Sequence, residues 1–83
     1  MSLFLITHEL SRPQTEYPAL WDRLGRDEAV QVLASGWMLR SPRSAVQLLE
    51  ELRTLLTPDD RLMVVELSQA YAWMNPMADP CEA

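Results

Sequence analysis

The chain has 83 residues, 48% of them hydrophobic and 23% charged, which predicts one small globular domain because two cores would each be too small. Twelve acidic side chains against seven arginines and no lysine give a net charge of −5, which disfavours tight general binding to nucleic-acid phosphates. A single cysteine, Cys81, excludes an intrachain disulfide, and no apolar run resembles a signal peptide or membrane span, so we expect a cytoplasmic protein.

The first predicted element is a strand over residues 3–10, LFLITHEL. Its alternation puts Leu3, Leu5, Thr7 and Glu9 on one face and Phe4, Ile6, His8 and Leu10 on the other. Both sets begin apolar, so the strand is predicted to be buried on both faces and central in a sheet.

A short helix is predicted over residues 15–24. An apolar stripe at helical spacing carries it, formed by Tyr17, Leu20, Trp21 and Leu24. Thr15 is the expected N-cap and Gly25 the expected stop.

The rest of the chain predicts a hairpin, a helix and a last strand. Residues 29–34 and 37–40 form the hairpin, and a capping-box pattern from Ser44 to Gln47 begins a helix over 44–56. Asp59 and Asp60 follow Pro58 as turn residues, and 62–67 is the final strand. Residues 68–77 form an apolar C-terminal extension, and 78–83 a flexible tail.

This order, β-α-β-β-α-β, predicts an α+β, ferredoxin-like fold over residues 1–77, with a four-stranded antiparallel sheet and both helices on one face. Strands one and three are then central. The open face of the sheet is too apolar to be solvated, so we expect a homodimer that pairs the open faces of two sheets.

The succession LFLITHEL, YPALWDRL, SGWMLRS, SAVQLLEELRTLL, PDDRLMVVEL and AYAW resembles the small Cas-two-like proteins, which include the CRISPR-associated adaptation protein. The resemblance covers about residues 1–75. It implies a ferredoxin-like homodimer that handles nucleic acid as a scaffold or cleaves it with a divalent ion. It also implies that the final segment crosses to the partner's sheet, with Tyr71 and Trp73 as interface anchors.

The family's metal-binding Tyr-Asp pair after strand one corresponds to His8-Glu9 here, so the resemblance makes Glu9 the catalytic and metal-binding candidate for Mg²⁺ or Mn²⁺. The extra methylene of glutamate moves the carboxylate by roughly 1.5 Å, and magnesium tolerates little displacement. Because of this displacement, we expect that efficient nuclease activity is lost. Arg12 and Arg40 are the candidate nucleic-acid-binding residues.

Bland interpretations compete with several of these assignments. His8 and Glu9 should point to opposite faces, which prevents both from acting on one atom. No second histidine exists for a zinc-protease motif. Glu66 should lie near the start of strand one, away from Glu9.

Three functions follow from the sequence. The first is a Cas-two-like homodimeric binding or scaffold protein of prokaryotic defence or mobile-element systems. The second is a metal-dependent endonuclease that uses Glu9 at the dimer interface. The third is an acidic, phage-type inhibitor or regulator that binds a basic protein partner.

Overall fold

The computed structural model describes residues 1–68 together with Ala72, Met74 and Met77. Most of the extension predicted for 68–77 and all of the tail predicted for 78–83 lie outside the described residues. The two predicted interface anchors, Tyr71 and Trp73, lie outside them as well.

The elements follow the predicted order. They are β1 (Ser2–Glu9), a 3-10 turn (Gln14–Glu16), α1 (Pro18–Arg26), β2 (Val30–Leu33), β3 (Gly36–Ser41), α2 (Ala45–Arg53) and β4 (Arg61–Leu67). The four strands form one antiparallel sheet in the order β2-β3-β1-β4. Strands β1 and β3 are central, and the fold is ferredoxin-like, as the sequence predicts.

Both helices cover the same face of the sheet. The core between the two layers consists of eight buried residues: Phe4, Ile6 and Leu39 from the sheet, Tyr17, Leu20 and Leu24 from the α1 region, and Leu48 and Leu52 from α2. The predicted stripe of α1 therefore packs on the inward residues of β1, and this packing fixes the face to which each later residue of β1 points.

The predicted boundaries of α1 are wrong at both ends. Thr15 lies in the 3-10 turn and caps nothing; Tyr17 is the N-cap, and Pro18 occupies the first helical position, where its missing N–H costs nothing. The helix passes Gly25 and ends in a Schellman motif, in which Ala29 N–H donates to the carbonyl of residue 24 at 2.9 Å. The left-handed residue of this motif is Glu28, with φ 58°, and not glycine.

The capping box of α2 is confirmed. Ser44 Oγ accepts from Gln47 N–H at 3.1 Å, and Gln47 Oε1 accepts from Ser44 N–H at 2.9 Å. The helix ends at Arg53 and not at residue 56. Leu55 N–H and Leu56 N–H bond to carbonyls three residues back, so the chain tightens into turns there.

The open face of the sheet carries a second apolar cluster, and its two halves differ. Leu3, Val32 and Met38 are buried, and Leu5, Val30 and Leu67 pack against them in part. On β4, however, Met63 is 61% and Val65 36% exposed. The middle of the face is therefore apolar, and its β4 side is open to solvent.

Candidate functional site

The carboxyl end of β1 separates His8 from Glu9. His8 is 6% exposed and lies on the helix side of the sheet, whereas Glu9 is exposed at the end of the strand. The alternation of the strand predicts this separation. The two side chains therefore cannot work as a pair on one substrate atom.

His8 is held by packing. Its backbone N–H donates to the carbonyl of Ser35 at 2.9 Å. Its ring lies against Trp21, with 5.6 Å between centroids, and Trp21 stacks on Trp37 at 5.7 Å. Trp21 itself is fixed by an indole N–H that donates to the carbonyl of residue 14 at 2.8 Å.

The imidazole of His8 is poorly suited to acid-base chemistry. Its Nε2 atom is buried and has no hydrogen-bond partner among the described residues. Burial lowers the pKa of His8 below its ordinary 6.5, because the charged imidazolium is disfavoured away from water. At neutral pH the ring is uncharged and acts as part of the core.

Glu9 is paired with Arg61, the residue directly across from it on β4. Arg61 Nη1 lies 3.6 Å from Glu9 Oε2, and the two side chains are 80% and 76% exposed. Exposed pairs of this kind contribute little to stability, typically under about 1 kcal/mol. Arg61 nevertheless places a positive charge beside the carboxylate, which disfavours a divalent cation at the same position.

Among the described residues, the cavity beside Glu9 brings together two carboxylates and one arginine. A shallow cavity of about 260 Å³ is lined by Glu9, Leu10, Ser11, Asp59 and Arg61. No group of three or more His, Cys, Asp or Glu side chains that could hold a metal occurs among the described residues. Magnesium is usually held by one or two carboxylates in near-octahedral geometry. Glu9 and Asp59 are two such groups, but Arg61 in the same cavity adds a positive charge that opposes a divalent cation.

Asp60 lies in the turn before β4, as predicted, and it is also a hub that the sequence patterns missed. Its Oδ1 accepts from Ser11 N–H and Oγ–H, each at 2.8 Å, and from the hydroxyl of Tyr17 at 2.7 Å. Its Oδ2 accepts from Thr57 N–H at 2.8 Å. These bonds tie the loop after β1 to the turn before β4.

The ionisation of Asp60 follows from these donors. Desolvation alone would raise the pKa of this carboxyl, but the hydrogen bonds from Ser11, Thr57 and Tyr17 outweigh it and hold the pKa well below its usual 3.8. The ionised carboxylate is a clip for the two loops that flank Glu9. The signal that could have identified it is a contact between residues 49 positions apart, which local patterns do not carry.

The two candidate arginines lie at opposite ends of the sheet. Arg12 is exposed in the loop after β1, close in the chain to Glu9. Arg40 is paired with Leu3, six residues from Glu9 along β1, a distance of roughly 20 Å. Arg40 instead lines a cavity of about 580 Å³ at that end, with Arg26 and Arg43. The candidate nucleic-acid-binding residues therefore do not form one patch around Glu9.

The placement of Glu66 agrees with the antiparallel pairing expected from the sequence. It lies across from Phe4, near the beginning of β1 and away from Glu9. It therefore adds no second carboxylate to the candidate site.

Comparisons with known proteins gave no relative: no family model, no curated protein and no solved structure matches this chain. Within the described part of the chain, no helix combines the length and apolar character needed to cross a membrane. Function must therefore be argued from the site and from the surface of the sheet.

Proposed function

We propose that this protein is a homodimeric binding or scaffold module of the Cas-two-like kind, without efficient nuclease activity. The observation that carries the proposal is the apolar open face of the sheet, where Leu5 and Leu67 adjoin the exposed Met63 and Val65. Contiguous exposed apolar patches mark protein–protein or membrane interaction sites or ligand-binding grooves, and the first of these fits the proposed homodimer.

The surroundings of Glu9 support the part of the proposal that concerns catalysis. The arginine directly across from Glu9 lies within 3.6 Å of its carboxylate, and its positive charge disfavours a divalent cation there. The rival function, a Mg²⁺- or Mn²⁺-dependent endonuclease, would require Glu9 to exchange Arg61 for a metal, with further ligands from a second copy.

A nuclease assay separates the two functions. Pure protein is incubated with single- and double-stranded RNA and DNA in the presence of Mg²⁺ or Mn²⁺, beside Glu9→Ala and the matched control Glu66→Ala, which removes an exposed carboxylate at the far end of the sheet. We expect no cleavage by any of the three. Cleavage lost only in Glu9→Ala would establish the endonuclease instead.

The homodimer is tested by light scattering at micromolar concentration. We expect about twice the 9.5 kDa mass of one chain, and the mass of a single chain would contradict the proposal. A role in prokaryotic defence or mobile-element systems rests on the sequence resemblance alone. It predicts that CRISPR adaptation, toxin or phage genes lie beside the coding gene, and their absence would count against it.

A further inference from the structure

The two edge strands of the sheet, β2 and β4, differ in how well they are protected from pairing with another chain. At one edge, β2 has four residues, its pairing with β3 shifts register between Gln31 and Leu33, and the carbonyl of Val32 accepts the N–H of Met77 at 2.7 Å. A short strand, a register shift and a covered acceptor are the devices by which proteins protect sheet edges from pairing with other chains.

The opposite edge, β4, has none of these devices. It has seven residues, and seven consecutive pairs join it to β1 without a shift of register. Its sequence, RLMVVEL, contains no proline, and its two charged residues, Arg61 and Glu66, lie at or next to its ends. Among the described residues no main-chain hydrogen bond reaches β4 from outside its pairing with β1. A long, regular, apolar edge of this kind is a template for another strand.

We propose that β4 pairs with β4 of a second copy, antiparallel, about a two-fold axis at Val64, to form one continuous eight-stranded sheet. The proposal rests on the homodimer proposed above, and it places the interface at the exposed β4 edge of the apolar face and not across the whole face or through the final segment. In this register all seven residues find a partner. Met63 lies across from Val65 of the second copy, and Val65 across from Met63 of the second copy, so the two exposed apolar side chains of β4 cover each other.

Self-complementarity identifies a second copy as the occupant. Arg61 faces Leu67 of the other copy and Glu66 faces Leu62, so no like charges are directly opposed. Moving the axis to residue 63 or 65 would leave only five paired residues of the seven in β4. A β4–β4 pairing shifted by one residue would place the open face of one copy on the same side of the sheet as the helix face of the other.

Charge substitutions at the two exposed positions test this register. In Met63→Lys/Val65→Lys, lysine opposes lysine at both symmetric positions. In Met63→Lys/Val65→Glu, lysine opposes glutamate. Val46→Lys, at a position 69% exposed on α2, is the matched control for adding a charge to the surface. Mass is measured by sedimentation equilibrium on the full chain over a hundredfold range of concentration.

We expect a dimer for the wild type and for Val46→Lys. For the double-lysine variant we expect a dissociation constant at least tenfold higher, and for the lysine-glutamate variant a return to within threefold of the wild type. Hydrogen exchange provides a second measurement on the wild type alone. Amides of β4 that point away from β1 should be protected at high concentration and exchange rapidly at low concentration.

Three results would overturn the inference, and they are distinguishable. If the double-lysine variant dimerises like the wild type, the interface lies elsewhere, although the homodimer survives. If the lysine-glutamate variant stays as weak as the double-lysine variant, β4 does not pair in this register. A wild type that is monomeric throughout the concentration range would overturn the proposed homodimer and its interface together.

Discussion

The register of β1 decides whether Glu9 faces outward or inward, and Ile6 provides the most direct test of it. Ile6 is 1% exposed and belongs to the core under the helices. Because side chains alternate along a strand, the register that buries Ile6 also buries His8 and exposes Glu9. A slip by one residue would reverse all three. Shortening Ile6 therefore tests the geometry of the candidate site without touching it.

The expected cost follows from the burial of Ile6. Ile6→Val removes one buried methylene group and should lower the free energy of unfolding by about 1 kcal/mol, within a typical range of roughly 0.5 to 1.5. Ile6→Ala should cost about 2 to 5 kcal/mol. A domain of this length has roughly 4 to 12 kcal/mol of stability in total. At the low end of that range the alanine variant would unfold, so the valine variant is the quantitative probe.

Urea denaturation at fixed protein concentration, followed by tryptophan fluorescence, measures the effect. Trp37 lies directly across from Ile6 on β3, so the signal reports the same region. With a urea dependence of about 1 to 3 kcal/mol per molar, a loss of 1 kcal/mol moves the midpoint down by about 0.3 to 1 M. Val46→Ala, at an exposed helix position, should shift it little. If Ile6→Val shifts the midpoint no more than this control does, Ile6 is not in the core and the assigned faces of His8 and Glu9 are wrong.

Three further perturbations follow from individual contacts. Although desolvation opposes it, hydrogen bonding lowers the pKa of Asp60 below 3.8. The carboxylate therefore stabilises the fold above that pH, and this stabilisation is lost as the pH falls through the lower, folded-state pKa. In Asp60→Asn the urea midpoint should be lower at pH 7 and should depend less on pH below 4, and an unchanged pH dependence in acid would contradict the role of the clip. Burial lowers the pKa of His8, so the free energy of unfolding should fall as the pH drops below 6.5 towards the folded-state pKa and then level off. In His8→Phe the urea midpoint should change less between pH 8 and 5.5 than in the wild type, and an equal change would count against the buried neutral ring. Glu28 has φ 58°, a left-handed backbone that is costly for any residue with a Cβ atom. Glu28→Gly should therefore raise the free energy of unfolding by about 0.5 to 1 kcal/mol, whereas Glu28→Ala should give no such gain. Equal effects of the two substitutions would show that the left-handed backbone is not strained.

The order of elements could be predicted because it depends on local periodicity. The alternation in 3–10 and the stripe through Leu20 and Leu24 each specify an element and its buried face, and the capping box specifies where α2 begins. The ends of α1 were predicted wrongly for an equally local reason. Gly25 predicts the end of the helix because glycine is the usual residue in the left-handed position, but Glu28 occupies that position here. The residue type alone does not reveal this.

Contacts between distant segments could not be predicted from the sequence. Asp60 was expected to be a turn residue, and it is one, but its hydrogen bonds to Ser11 and Tyr17 depend on where the sheet brings the two loops together. The Arg61 partner of Glu9 is a similar case, since it requires the register between β1 and β4. Arg40 is a candidate for the surroundings of Glu9 on topology alone, and the register of β1 with β3 places the two residues at opposite ends of the sheet.

The register of β1 with β4 links the two proposals. On the open face, the cross-strand pair Thr7 and Met63 is followed by the pair Glu9 and Arg61, which lies at one end of β1 and β4. A second copy paired along β4 about Val64 would place its own Glu9-Arg61 pair at the opposite end of the shared sheet, because antiparallel strands reverse direction. The two Glu9 carboxylates would then lie on opposite sides of the axis, separated by roughly 20 Å along the strands, which is six residue steps, and by three strand spacings, roughly 14 Å, across them. A metal shared by two Glu9 side chains requires them to be close together. Pairing through β4 and a nuclease centre built from two Glu9 residues therefore exclude each other, and a dimer that responds to the charge substitutions on β4 would argue against the nuclease as well.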